Sequence, residues 1–409
     1  MAKVLPFHGL LPTAEKAAQV AAVPYDVVNS EEAAKLAEGN PLSFLRISKP
    51  EIELEPGIDL YDDRVYAKAL SNFKRLCEQA PLKLDSEEHL YIYRLKMGNH
   101  VQTGILGAVS AEEYCKNIIK KHEKTRKDKE DDRTRHVMTL RSHTGPAFLT
   151  YRDSAAIDTL VEKLTSGKPL FDFTAPDGIV HTLWRVDAAD SRILSDLFAL
   201  VPYLYIADGH HRSAAAARTA AECTPKNPSH TGKEDYNFFL AGTFPASQLK
   251  ILPYNRAVKT LNGKNKAQFL QELGVKFNVT KTSSPQPAKS GEFCMYLDGE
   301  WSLVTPKFDV KALGVIECLD VSILQDNILA PLLGIDDPRT SKDIDFIGGI
   351  RGTAELEKLV NSGKYAVAFS MFPTTLNQLM NIADANAIMP PKSTWFEPKL
   401  RDGIVCHNF

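Results

Sequence analysis

Apolar positions in this chain fall into two spacings, separated by clusters of turn-forming residues. Short continuous runs occur at residues 89–95 (HLYIYRL), 103–109 (TGILGAV), 147–151 (AFLTY), 179–186 (IVHTLWRV), 203–206 (YLYI) and 238–244 (FFLAGTF). Runs of this length predict buried strands, and Gly98-Asn99 predicts the turn between the first two. A helical spacing places Val65, Leu70, Phe73 and Leu76 on one face and predicts a helix over 63–79. Asn29 or Ser30 is positioned to cap a helix running to Glu38, with Glu31 and Glu32 in its first turn. Residues 118–136 (IIKKHEKTRKDKEDDRTRH) read as the continuation of a helix that begins near Ala111, most of the charges forming a solvated face. Further on, residues 224–232 and 281–291 are rich in turn formers and read as loops. Asp298-Gly299 predicts a hairpin between 294–297 and 301–305, residues 321–333 a helix, and 365–371 a buried strand. The mixture predicts a mixed α/β fold in two parts. The expected division is an N-terminal region over 1–255 and a smaller C-terminal α/β domain over 256–409, whose tail packs back on the first.

Composition narrows the class. The 409 residues carry 49 Lys and Arg against 51 Asp and Glu, a formal net charge of −2, so no global positive field gathers nucleic acid. No apolar run approaches a membrane span, and the N-terminus has no charged-then-apolar signal. The 6 Cys are widely separated and form no CxxC pair, which suits reduced core residues. The expectation is a cytoplasmic enzyme or binding protein.

The stretch 201–217 (VPYLYIADGHHRSAAAA) concentrates the candidate chemistry. An apolar strand is broken by Asp208-Gly209 and empties into an alanine-rich helix from Ser213. The first backbone N–H groups of a helix lack intrahelical partners and sit at the positive end of its dipole. Gly209 lets an anion approach the backbone, Arg212 can clamp it, and His210 and His211 can add donors. The corner is thus either a phosphate site or a tight turn carrying a surface arginine and two solvated histidines.

Asp208-Gly209-His210-His211-Arg212 also resembles the nucleotide-binding loop of the ParB/sulfiredoxin superfamily, where ParB proteins have Gly-Glu-Arg-Arg, sulfiredoxins Gly-Cys-His-Arg and free-serine kinases a similar Asp-Gly-His loop. His210 stands where a sulfiredoxin has its catalytic cysteine, so sulfinic-acid reduction is not available here. Pro24-Tyr25-Asp26-Val27, His122-Glu123 with Thr125, Asp208–Arg212 and the tail at Met389–Lys399 occur together, and the chain resembles, end to end, the domain-of-unknown-function family numbered one thousand and fifteen. Members of that family usually have Arg before His-Glu; Lys121 stands here, keeping the charge without the planar fork. The resemblance implies a ParB/sulfiredoxin-like phosphate-binding core and a nucleotide, ATP or ADP with Mg²⁺, as cofactor.

Phosphoryl transfer needs groups that hold phosphates and a carboxylate that takes the acceptor proton. Asp208, Gly209, His210, His211, Arg212 and Ser213 are the candidates for holding the nucleotide, joined by Lys392, Ser393 and Thr394 from the proline-stiffened tail. Glu123 is the candidate base, with His122 and His210 as catalytic companions; a solvated helix carboxylate is the alternative for Glu123. No protein metal ligands are assigned. The expected activity is nucleotide-dependent phosphorylation of a small hydroxyl metabolite, with free L-serine first, giving O-phosphoserine. A ParB-like nucleotide-binding regulator without transfer, and an enzyme hydrolysing a serine phosphate, remain alternatives.

Overall fold

The strand at Leu204–Asp208 lies inside a nine-stranded mixed sheet. In spatial order the sheet runs Ile119–Lys120, Leu204–Asp208, Ala147–Tyr151, Phe238–Pro245, His100–Ser110, Tyr91–Met97, Val180–Arg185 and Phe171–Thr174, with Val4–Leu5 added against His100–Ser110. These strands carry the first unit of a computed structural model that describes residues 2–409. The chain forms two compact units, Met1–Leu249 with Pro398–Phe409, and Lys250–Glu397. The fold is mixed α/β in both.

In the first unit, Ile92, Ile105, Leu149, Leu204 and Ile206 project from adjacent strands into one apolar core. Gly98 adopts a left-handed φ of 58° and turns the Tyr91–Met97 strand into its antiparallel partner. A helix occupies Asp63–Gln79 and buries Val65, Phe73 and Leu76, the face that the helical spacing predicts. Asn29 caps the helix at Ser30–Leu36 through a reciprocal box with Glu32.

The charged stretch departs from expectation. The helix from Ala111 ends at Cys115, Asn117 turns left-handed at φ 57°, and Ile119–Lys120 joins the sheet edge as a strand. The longer helix lies afterwards, at Lys127–Leu140. The corner helix also begins earlier than Ser213, at His210, because Gly209 takes φ 88° and ends the strand within one residue.

The second unit is built on a six-stranded antiparallel sheet in the order Phe277–Lys281, Glu300–Pro306, Phe293–Leu297, Val367–Met371, Tyr254–Val258 and Ile344–Gly348. Asp298 and Gly299, both left-handed, form the expected hairpin turn. The helical stretch from Asp320 to Leu333 contains a π-helical turn at Gln325–Leu329.

Candidate functional site

Strand direction assembles the site. Ile119–Lys120 pairs in parallel with Leu204 and Tyr205, so both chains leave the sheet at the same end. His122 and Glu123 therefore emerge beside Gly209 and His210, although the two motifs are far apart in sequence. The neighbouring strand is antiparallel, with Phe148 opposite Asp208, and it brings Pro146 to the same end.

Two buried imidazoles meet there edge to face, His122 and His210, with centroids 4.5 Å apart and planes at 89°. His122 is fully buried and His210 is 6% exposed. Burial lowers the His122 pKa to about 3 and the His210 pKa to about 4, so both rings are neutral at physiological pH. Nε2 of His210 is buried without a hydrogen-bond partner among the described residues, and the ring nitrogens of His122 have none beyond a contact with the Ile206 backbone. Unsatisfied buried polar atoms are rare in folded proteins and call for an explanation. Glu123 reaches toward this pair, its Oε2 lying 3.8 Å from His210 Nδ1. His211 turns outward; its Nε2 accepts from the Arg126 backbone N–H at 3.2 Å.

No side chain caps the His210–Cys223 helix. Its first-turn N–H groups face the same corner as the orphaned imidazole nitrogens. Ser213 does not offer its hydroxyl, which donates back to the Gly209 carbonyl at 3.2 Å.

Charge at the corner is closely balanced. Asp208 accepts from the Gly209 N–H at 2.8 Å and from Lys399 Nζ at 2.6 Å. Burial opposes ionisation of Asp208, but Lys399 and Arg212 outweigh it and hold the carboxyl well below its usual range. Arg212 donates to the Pro146 carbonyl at 2.9 Å and lies 3.6 Å from Asp26 and 3.7 Å from Asp402. Its guanidinium stacks 5.4 Å from the Tyr25 ring centroid, and Arg133 covers the same ring at 4.1 Å. Burial raises Asp402 to about 6 despite Arg212.

The structure thus brings His122, Glu123, Asp208, Gly209, His210, Arg212 and Lys399 together in the first unit. Thr125 turns away to donate to Glu130, and Lys121 donates to the Tyr114 carbonyl at 3.0 Å. Lys392, Ser393 and Thr394 belong to the second unit. There Lys392 adopts φ 56°, with Nζ 5.5 Å from the Tyr254 ring centroid, and the Ser393 hydroxyl donates to the Pro390 carbonyl at 2.6 Å.

The sequence marks Asp26 only as part of Pro24-Tyr25-Asp26-Val27 and does not single out Asp402. Their meeting at Arg212 depends on a backbone bridge in which Ala22 and Asp402 exchange hydrogen bonds. The nearest signal was Tyr25-Asp26 in the Pro-Tyr-Asp motif; nothing local marks Asp402. Among the described residues no group of three His, Cys, Asp or Glu is arranged to hold a metal, and no helix is long and apolar enough to cross a membrane.

The family described as "Protein of unknown function (DUF1015)" matches residues 4–322, most of the chain, and the protein belongs to it. No curated protein matches the sequence. Among solved structures, the chain is similar to a mutant free serine kinase in complex with AMP, at 14% identity and TM-score 0.36, covering 72% of this chain and 86% of that one. It is similar to SbnI with C-terminal truncation from Staphylococcus aureus, at 11% identity and TM-score 0.40, covering 73% and 85%. It is also similar to a conserved hypothetical protein from Pyrococcus furiosus, at 15% identity and TM-score 0.35, covering 73% and 93%. Scores this low establish no shared site.

Proposed function

We propose that the corner at Asp208–Ser213 binds the phosphates of ATP or ADP, together with Mg²⁺, and that the protein is a cytoplasmic enzyme transferring a phosphoryl group to the hydroxyl of a small metabolite, with free L-serine the first candidate. The observation that carries this reading is the pair of buried, neutral imidazoles with unpartnered nitrogens at an uncapped helix N-terminus, His122 and His210. Phosphate oxygens accept from helix N–H groups and from a neutral imidazole N–H. This is the phosphate-binding mode that the resemblance to the ParB/sulfiredoxin superfamily implies.

Glu123 is the base in this reading. It is part-exposed, at 34% of its side chain, and stands beside His210. As the new oxygen–phosphorus bond forms, the acceptor hydroxyl gives its proton to Glu123. The bond from phosphorus to the bridging oxygen breaks, and the nucleotide leaves one phosphate shorter with the negative charge. Lys399, held on Asp208, is near enough to the corner to offset charge on the phosphates. Mg²⁺ bound through phosphates needs only one or two carboxylates, and Asp208 would supply one. The free cysteines suit a reducing compartment.

The test is purified protein with ATP or ADP, Mg²⁺ and pooled amino acids, followed by mass spectrometry. Nucleotide-dependent appearance of O-phosphoserine, or of another phosphorylated hydroxyl compound, supports the reading. No phosphorylated product from any acceptor overturns phosphoryl transfer.

A further inference from the structure

Arg256 lies on the strand Tyr254–Val258, between Val367–Met371 and Ile344–Gly348 in the sheet of the second unit. It is 3% exposed. Its guanidinium donates to the Tyr254 carbonyl and, at 3.1 Å, to the Lys392 carbonyl, and sits 5.1 Å from the Phe346 ring centroid. Those carbonyls account for two of its five N–H groups. No carboxylate among the described residues pairs with it, and burial draws its pKa down to about 10. A guanidinium taken out of water without a counter-charge is expensive, and such a residue is retained where something else offsets the cost.

Arg256 opens onto a cavity of about 300 Å³. Val321, Leu329, Phe346, Pro390 and Pro391 form its apolar walls. Gln325 and Leu329, the first and last residues of the π-helical turn, also line it. Single π turns within helices are frequent at functional sites. Gln325 is already committed, donating to the Ile335 carbonyl at 2.7 Å. At the mouth Arg339 is neutralised by Asp337 at 2.7 Å, and Asp336 adds an exposed negative charge. One unspent cation therefore faces an apolar space behind an acidic rim.

We propose that this cavity binds a small organic monocarboxylate with an apolar body, its carboxylate on Arg256 and its body against Phe346 and the two prolines. The volume is at the small end for ligand pockets and admits a single ring or a branched chain. One guanidinium matches one carboxylate in a planar, bidentate fashion. The acidic rim disfavours phosphates and other polyanions. The proposal uses residues of the second unit alone and does not rest on the nucleotide reading. The competing role for Arg256 is a tie between two backbone carbonyls, and the variants below separate the two.

The experiment titrates the full chain with benzoate and 3-phenylpropanoate, with their primary amides and with inorganic phosphate, by calorimetry and thermal melting. The carboxylates are expected to bind at about millimolar Kd or tighter, with the amides about tenfold weaker or more and phosphate giving no signal. Arg256→Met is expected to abolish carboxylate binding without lowering the melting temperature of the ligand-free protein. Asp336→Lys, at an exposed position, is expected to tighten carboxylate binding about threefold or more. If Arg256→Met fails to fold, the Asp336→Lys titration decides. No carboxylate binding to the wild type at about 10 mM overturns the proposal. Equal binding of amide or phosphate, an Arg256→Met protein that melts lower yet binds as before, or unchanged affinity in Asp336→Lys each overturns it as well.

Discussion

Arg212 and Arg256 are both withdrawn from solvent, yet they are buried in opposite ways. Arg212 has Asp26 and Asp402 on one side, Tyr25 on its face and Asp208 beyond. Burial works against its charge, and that ring of carboxylates more than restores it. Arg256 has two carbonyls and a phenyl ring, and no carboxylate. At the corner, opposite charges stand against one another, and the orphans are the neutral imidazoles and Asp402 Oδ1, which has Arg212 only at 3.7 Å. In the cavity of the second unit, the orphan is the charge itself. The contrast shows why a buried cation is not by itself a ligand signal: its partners decide whether it is structural or waiting. For the corner it moves the candidate phosphate contacts from Arg212 to the helix N-terminus, His122 and His210.

The largest expected effect breaks the contrast directly. Arg212→Met strands the buried Asp402 carboxylate and should cost about 3–5 kcal/mol of stability in chemical denaturation. Asp402→Asn in the same chain should recover much of it, since the two residues share one network. Arg256→Met should show no comparable loss. Equal losses at the two arginines would erase the distinction.

Next in size is a pH effect. The folded pKa of His210, about 4, lies below the ordinary histidine value, and that of His122 is about 3. Between the folded and unfolded values the unfolded chain binds more protons, so stability falls as pH drops from about 6.5 toward the folded values. The contribution is fully present above about pH 6.5. His210→Gln should remove about 3 kcal/mol of the loss between pH 7 and pH 4, at about 1.4 kcal/mol per unit. Denaturation curves at the two pH values measure it; an unchanged difference would mean that His210 is not held neutral.

If phosphoryl transfer is observed, Glu123→Gln should keep nucleotide affinity and lose about 10²-fold in turnover, the scale of a positioned base. Equal turnover would make Glu123 the solvated carboxylate of the alternative reading. The smallest effect belongs to Lys399. Its side chain is 14% exposed, and without it Asp208 keeps the Gly209 N–H and the nearby Arg212 charge. Lys399→Met should cost about 1–2 kcal/mol of stability, read by thermal melting.

Much of this was legible where local chemistry decides. Gly98-Asn99 and Asp298-Gly299 announce hairpins because few residues adopt a left-handed φ. The 63–79 helix follows from its apolar face, and Asp208–Arg212 from a strand that must end at Gly209. The helix at Lys127–Leu140 was hidden for a physical reason. It buries Asp132, Thr134 and His136, with Tyr66 donating to Asp132 at 2.7 Å, so its inward face has the composition of a solvated one. The meeting of His122 with His210 depends on a two-residue parallel pairing, and that of Asp26 with Asp402 on one backbone bridge. Neither leaves a pattern in the nearby residues. Nothing in the sequence singles out Arg256, because one arginine in a strand carries no record of what surrounds it.

The central claim is that the buried imidazoles at the corner face the phosphates of a nucleotide. Calorimetric titration of ATP and ADP, each with Mg²⁺, into wild-type protein and His210→Gln tests it most directly. The account predicts saturable binding to the wild type and an affinity about tenfold weaker in His210→Gln, the value of about one hydrogen bond to a charged group. No nucleotide binding to the wild type at millimolar concentration, or equal affinity in the two proteins, would contradict it.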